Sequence, residues 1–133
     1  VFGYFYKNNA IILNRKNRKD SYAAFIKAKE RLDEGLSICI FPEGGIPPKK
    51  IFLKKFKNGP FKLSLEKNIP LIPITMPDNK IIFPSEYFKG RPGIARIKIH
   101  KAVDANKLTK KTIENFNTSV YNTIFDQLKN YEK

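Results

Sequence analysis

Two short apolar runs flank a charged stretch in the first third of the chain. Ala10 to Asn14 and Leu36 to Phe41 are rich in Ile and bounded by polar residues, which is typical of buried strands. Between them, apolar residues are interspersed with charged ones, which predicts a helix. Asp20 and Ser21 can cap its N-terminus, and Gly35 stands where a left-handed C-terminal cap is favoured. This stretch therefore predicts a β-α-β unit with a parallel pair of strands.

Two more helices are predicted downstream. One runs from about Pro60 to Lys67, with the proline at a tolerated first-turn position, and the other starts near Thr109 and ends the chain. Apolar residues of the terminal helix recur at steps of three and four, so one face is expected to pack on the sheet. That face consists of Ile113, Phe116, Val120, Ile124, Leu128 and Tyr131.

Weaker strand signals lie between these helices, at Ile69–Met76, Lys80–Phe83 and Ile94–Ile99. Pro70 and Pro73 cannot donate to a ladder, so the first of these is expected to be an edge or irregular strand. Together the pattern predicts an α/β fold with a mixed, largely parallel sheet flanked by helices.

Composition narrows the classes of protein that fit. The chain has 133 residues, a length typical of one domain, so residues 1–133 are expected to form a single domain. The only cysteine, Cys39, cannot close an internal disulfide and is expected in the core. No apolar run approaches the roughly 20 residues of a spanning helix. The net charge of +14 favours an anionic partner, although A+T-rich codon usage also enriches lysine without any ligand.

The segment after the second apolar run carries the strongest functional signal. Glu43, Gly44 and Gly45 follow directly, at the edge of a parallel sheet where open α/β folds bind ligands. The glycines allow backbone N–H groups to approach an anion, and lysines beside them supply positive charge. These are Lys49, Lys50, Lys54, Lys55 and Lys57. A phosphate would suit this loop, but an ordinary turn with solvated lysines has the same composition.

Four blocks, in order, resemble those of the glycerolipid acyltransferases typified by lysophosphatidic acid acyltransferase. They are Ile12-Leu13-Asn14-Arg15, Phe41-Pro42-Glu43-Gly44, Phe56-Lys57-Asn58-Gly59-Pro60-Phe61 and Ile69-Pro70-Leu71-Ile72-Pro73-Ile74. The resemblance spans roughly residues 1–100. It implies that Arg15, Glu43 and Gly44 belong to the site that holds a glycerol-phosphate acceptor, with the guanidinium offering phosphate a planar fork of donors.

The chain departs from the family pattern in two places. Gly45-Ile46-Pro47 replaces the usual Thr-Arg-Ser, so a second phosphate-binding Arg is absent, and Lys49 or Lys50 is expected to replace its charge. The family's catalytic His-x4-Asp pair is also absent, since His100 and Asp104 have three intervening residues and lie late in the chain. His100 is therefore expected to be exposed or structural. The resemblance implies that the pair precedes Val1, that this chain is the larger C-terminal part of the domain, and that it is inactive alone.

The implied activity is transfer of a fatty acyl group from acyl-CoA or acyl carrier protein to a lysophosphatidate-like acceptor in phospholipid biosynthesis. No metal or cofactor is expected. The expected location is the cytoplasmic face of a membrane, peripheral or anchored through a preceding segment. Two alternatives stay open, a catalytically inert lipid- or membrane-binding domain of the same fold and a basic nucleic-acid-binding module. The block order gives no support to specific nucleic-acid binding.

Overall fold

A computed structural model of the chain describes residues 3–4, 9–12, 17–45, 47–48, 50–84, 86, 89–104 and 113–132. The chain divides into two compact units, Val1–Ile40 and Phe41–Lys133. That residues 1–133 form a single domain stays a prediction from the sequence.

The first unit is built on the helix α1, Arg18–Asp33. Its N-cap is Asn17, whose side chain accepts a 2.9 Å hydrogen bond from the backbone N–H of Lys19, so the predicted capping by Asp20 or Ser21 is wrong. Asp20 instead accepts a hydrogen bond from the Asn17 amide. Gly35 has the left-handed conformation that its position predicted, with φ of +81°.

The predicted parallel strand pair is not found in the described residues. Residues 10–12 and 36–41 form no ladder, and residues 13–14 lie outside the described part of the chain. Leu36, Ile40 and Phe41 are exposed, as is Cys39, so the prediction of a core cysteine is wrong. Apolar character alone does not make a strand, because a strand also needs a partner for its backbone groups.

The core of the second unit is aromatic. Helix α2 spans Gly59–Lys67, with Pro60 in its first turn as predicted. Its C-cap, Asn68, has the left-handed φ of 54°. Its Phe61 is 1% exposed and packs edge-on against Phe116, with ring centroids 5.2 Å apart. Phe56 and Val120 complete this buried cluster.

The predicted helical face at the C-terminus is confirmed. The long helix, here named α4, is described over Ile113–Glu132, while its predicted start near Thr109 lies outside the described residues. Phe116 and Val120 are buried in the core, and Ile113 and Ile124 pack against it. The apolar repeat of three and four therefore located the packing face.

In the described residues of the second unit, a short antiparallel pair of strands forms a sheet. Strand β1, Ile74–Thr75, pairs with β2, Lys98–Ile99, and a separate bridge joins Leu71 to Val103. The two prolines of the first strand region break it up as predicted. The carbonyl of Pro73 nevertheless accepts a 3.0 Å bond from the N–H of His100, so the pairing continues past the strand itself.

The segment between these strands turns into the short helix α3, Asn79–Ile82, so the strand predicted at Lys80–Phe83 is wrong. The carbonyl of Asp78 accepts hydrogen bonds of 2.9 Å from the N–H groups of Ile81 and Ile82. These local bonds close a helical turn, although the sequence Lys-Ile-Ile-Phe at residues 80–83 has the composition of a strand. No helix in the described residues is both long and apolar enough to span a bilayer.

Candidate functional site

The site predicted from sequence is a turn at the start of the second unit. The N–H of Gly44 donates to the carbonyl of Phe41 at 3.3 Å, which closes the Phe-Pro-Glu-Gly block on itself. Gly44 has φ of +68°, a left-handed conformation that strains any residue with a Cβ. The sequence therefore needs glycine here, because the backbone makes this reversal.

A second motif segment is hydrogen-bonded onto this turn. The carboxylate of Glu43 accepts a 3.0 Å bond from the backbone N–H of Lys54, and the N–H of Lys57 donates to the carbonyl of Pro42 at 2.9 Å. The Phe-Pro-Glu-Gly and Phe-Lys-Asn-Gly blocks, separate in sequence, are thus held side by side. Glu43 acts here as an acceptor for the main chain, which fixes where the next lysines lie.

The lysine-rich segment, residues 50–57, is also bound by side chains from two helices. From α4, Tyr121 donates its hydroxyl to the carbonyl of Leu53 at 3.2 Å, and Asn117 donates its amide to the carbonyl of Phe56 at 3.1 Å. From α3, the Lys80 ammonium donates to the carbonyl of Ile51 at 2.7 Å. Backbone carbonyls along a loop are thus paired with side chains, so this segment has a defined course although it has no regular secondary structure.

The predicted binding residues have different outcomes. Glu43, Gly44 and Gly45 lie together in the half-buried turn, and Lys50 is exposed at the start of the lysine-rich segment. Arg15, Ile46 and Lys49 lie outside the described residues, so Arg15 and Lys49 stay predictions.

Sequence reasoning missed the residues that fix the turn from outside. Asn117 and Tyr121 are four residues apart on α4, at the border of its apolar face, and a polar residue in that position was the available signal. Their partners are carbonyls more than sixty residues earlier, which no local pattern reveals.

His100 directly follows β2. Its Nε2 is 2.9 Å from the hydroxyl oxygen of Thr75, a residue that is fully buried, and its own N–H is bonded to Pro73. Burial, and then the positive charge of Lys98, lower the pKa of His100 below its ordinary value. These contacts give His100 a structural role in joining the two strands.

An ion pair between the buried Asp78 and the half-exposed Arg96 fixes the entry to β2. Asp78 is 7% exposed and accepts bonds from Nε and Nη2 of Arg96 at 2.9 and 2.6 Å, and from its backbone N–H at 2.8 Å. Hydrogen bonds from Arg96 lower the pKa of Asp78 from 3.8 to about 2. The guanidinium lies over the Tyr131 ring, 4.7 Å from its centroid, so this cluster ties the approach to β2 to the end of α4.

The chemistry available at the turn is anion binding. Lys57 is exposed and lies beside Gly44, Lys50 and Lys55 are exposed elsewhere in the same loop, and the Glu43 carboxylate accepts a bond from the backbone of Lys54. Within the described residues, no group of three or more His, Cys, Asp or Glu side chains is arranged to hold a metal ion.

Comparison with known proteins gives this geometry a family. Residues 2–77 match the sequence model of a family described as Acyltransferase. The 1-acyl-sn-glycerol-3-phosphate acyltransferase of Borreliella burgdorferi is 28% identical over 118 residues, which cover 89% of this chain and 47% of that protein. The protein of the same name from Saccharomyces cerevisiae is 25% identical over 119 residues, 88% of this chain and 39% of that protein.

The fold agrees with that of a solved relative. The crystal structure of the 1-acyl-sn-glycerophosphate acyltransferase of Thermotoga maritima matches with a TM-score of 0.72 at 22% identity, over 82% of this chain and 44% of that one. This likeness confirms the predicted α/β acyltransferase fold. The chain spans less than half the length of each of these three proteins. Since the family model covers more than half of the chain, from residue 2 to beyond the Ile-Pro-Leu-Ile-Pro block, the chain belongs to the acyltransferase family.

Proposed function

We propose that the protein transfers a fatty acyl group from acyl-CoA or acyl carrier protein to a lysophosphatidate-like acceptor, in phospholipid biosynthesis. Family membership and the names of the relatives support this. In the reaction, the acceptor hydroxyl oxygen attacks the thioester carbonyl, the C–S bond breaks as the ester bond forms, and the thiol leaves with the hydroxyl proton.

This chain is proposed to contribute the acceptor-binding part. The observation that carries this is the pairing of the Glu43 carboxylate with the Lys54 N–H and of the Lys57 N–H with Pro42. These bonds bring a half-buried glycine turn and an exposed lysine, Lys57, together, and a glycine turn beside a positive charge is suited to a phosphate monoester. Arg15, from the preceding block, is proposed as a further phosphate ligand. The general base stays a prediction from the family resemblance.

Membrane association is a second part of the proposal, because the acceptor is a lipid. The net charge of +14 supports it, since lysines near an anionic leaflet contribute about 1 kcal/mol each to binding. The cytoplasmic face of the membrane is the proposed location, where the acyl donors are present.

The direct test is a transfer assay on the protein expressed from its complete native coding region. Lysophosphatidate is supplied with acyl-CoA or with acylated carrier protein, and phosphatidate is identified by mass spectrometry. Product formation with either donor supports the proposal. Binding of lysophosphatidate without turnover would instead favour the inert lipid-binding domain.

Arg15 is tested in the same assay. Arg15→Ala is expected to raise KM for lysophosphatidate while leaving KM for the acyl donor within about twofold, because one phosphate contact is lost. A charge-assisted hydrogen bond contributes about 1.5–3 kcal/mol, so the rise should be about tenfold or more. Unchanged kinetics would remove Arg15 from the site.

A further inference from the structure

The turn at Glu43-Gly44 lacks the arginine that the family pattern usually places next, and the sequence predicts that Lys49 or Lys50 replaces its charge. Lys49 lies outside the described residues, and Lys50 is exposed at the start of the lysine-rich segment. The lysine that the structure brings to the turn is a different one.

Lys57 lies across Gly44. A Cβ built on Gly44 would be 3.6 Å from both Cγ and Cε of Lys57, which is ordinary van der Waals contact along the lysine stem. The ammonium is one bond beyond Cε, so its charge is carried next to the turn. The lysine stem therefore runs alongside the position that a side chain of residue 44 would take.

The position of Lys57 is fixed from both directions along the chain. Its own N–H is bonded to Pro42, and the preceding residue, Phe56, is buried in the core with its carbonyl bonded to Asn117. The following residue, Asn58, accepts a second bond of 2.7 Å from the same Asn117 amide. The backbone of Lys57 is thus anchored on each side.

This anchoring matters for binding an anion. A free lysine loses side-chain entropy when it binds a ligand, whereas one whose stem is already packed loses less. Lys57 is exposed, so its ammonium is accessible to a ligand at the turn. An exposed, pre-positioned cation beside a glycine turn is the arrangement expected of a phosphate ligand.

We propose that Lys57 is the second cationic ligand for the phosphate group of the acceptor, in the role of the missing arginine. This rests on the proposed function, because it takes the acceptor to be a phosphate monoester. It assigns the charge to the Phe-Lys-Asn-Gly block instead of to the residues directly after Gly45.

The test measures glycerol 3-phosphate binding by isothermal titration calorimetry on the full-length protein. Lys57→Met removes the charge and keeps an apolar stem over Gly44, and Lys57→Gln is a second neutral variant should Met perturb folding. Lys57→Arg keeps the charge. The matched control is Lys62→Met, at an exposed lysine on α2. Thermal unfolding of every variant verifies the fold.

Lys57→Met or Lys57→Gln is expected to weaken binding about tenfold or more, Lys57→Arg by less, and Lys62→Met by less than about twofold. Equal losses at Lys57 and Lys62 would overturn the proposal, since they indicate a general charge effect. No loss at Lys57, or no binding by the wild-type protein, would overturn it as well. If binding behaves as expected but the wild-type protein transfers no acyl group, the proposed function fails while the assignment of Lys57 stands.

Discussion

Replacing Glu43 tests whether its carboxylate organises the turn. Glu43 accepts one hydrogen bond, 3.0 Å long, from the backbone N–H of Lys54 across eleven residues of sequence. In Glu43→Ala this N–H loses a charged acceptor, and such bonds contribute about 1.5–3 kcal/mol. Since Glu43 is only half-buried, water can replace part of the interaction, so we expect the free energy of unfolding to fall by about 1–2 kcal/mol.

The Gln variant separates charge from hydrogen bonding. Glu43→Gln keeps a carbonyl acceptor and should therefore lose less, about 0.5–1 kcal/mol, because a neutral hydrogen bond that contributes about 0.5–1.5 kcal/mol remains in place of the charged one. Urea unfolding gives the global free energy, and hydrogen exchange of the Lys54 amide reports the bond itself. Glu30→Ala, at an exposed glutamate on α1, is the control and should stay within about 0.5 kcal/mol of wild type.

The opposite result would be a Glu43→Ala variant in which both the unfolding free energy and the exchange rate of the Lys54 amide are unchanged. Glu43 would then have no structural part in the turn. A fall in stability without faster exchange at Lys54 would also contradict this role of Glu43, because the lost stability would come from another contact.

Three further predictions concern stability. Phe61→Ala should lower the free energy of unfolding by about 3–5 kcal/mol in urea titrations, because it opens a cavity in the aromatic core, and a loss below about 1 kcal/mol would contradict the packing. Asp78 has a folded-state pKa of about 2 against 3.8, so its stabilisation is complete above the higher value and is lost as pH falls through the lower; Asp78→Asn should remove this part of the acid destabilisation. The pKa of His100 is lowered in the folded protein, so below the ordinary histidine pKa of 6.5 the unfolded state takes up a proton more readily than the folded state does, and stability falls. His100→Gln should therefore make the unfolding free energy less dependent on pH between about pH 7 and pH 5.

The helices were predictable because their signals are local. Pro60 in the first turn, Gly35 with its left-handed φ and the apolar face of α4 each act within a few residues, and each appears where the sequence placed it. The cap of α1 shows the limit, because Asn17, Asp20 and Ser21 are all suitable and only the geometry selects Asn17.

The strands were harder because pairing is not local. The run Leu36–Phe41 has strand composition, yet it forms no ladder in the described residues and its apolar side chains are largely exposed. At Lys80, two backbone bonds onto the Asp78 carbonyl turn a strand-like sequence into a helix. The apolar pattern of these residues is visible in the sequence, but the partners of their backbone N–H and C=O groups are not.

The candidate site was predictable in part. Glu43 and Gly44 could be singled out from one block, because a carboxylate and glycines after an apolar run are rare enough to notice. That Lys57 lies across Gly44 could not, since it depends on Pro42 and Asn117 fixing the intervening loop. The order of the blocks in the sequence indicated the family, whereas the contact between two of them in the structure pointed to Lys57 as the phosphate ligand.

We propose that this part of the protein selects a phosphorylated acceptor for acyl transfer. The most direct test compares kcat/KM of the full-length protein for lysophosphatidate with that for monoacylglycerol of the same chain length, at a fixed acyl donor concentration. Two cationic contacts to phosphate, at about 1.5–3 kcal/mol each, predict a preference of about 100-fold or more for lysophosphatidate. Equal efficiency with both acceptors, or no transfer to either, would show that this part of the protein does not select a phosphorylated acceptor.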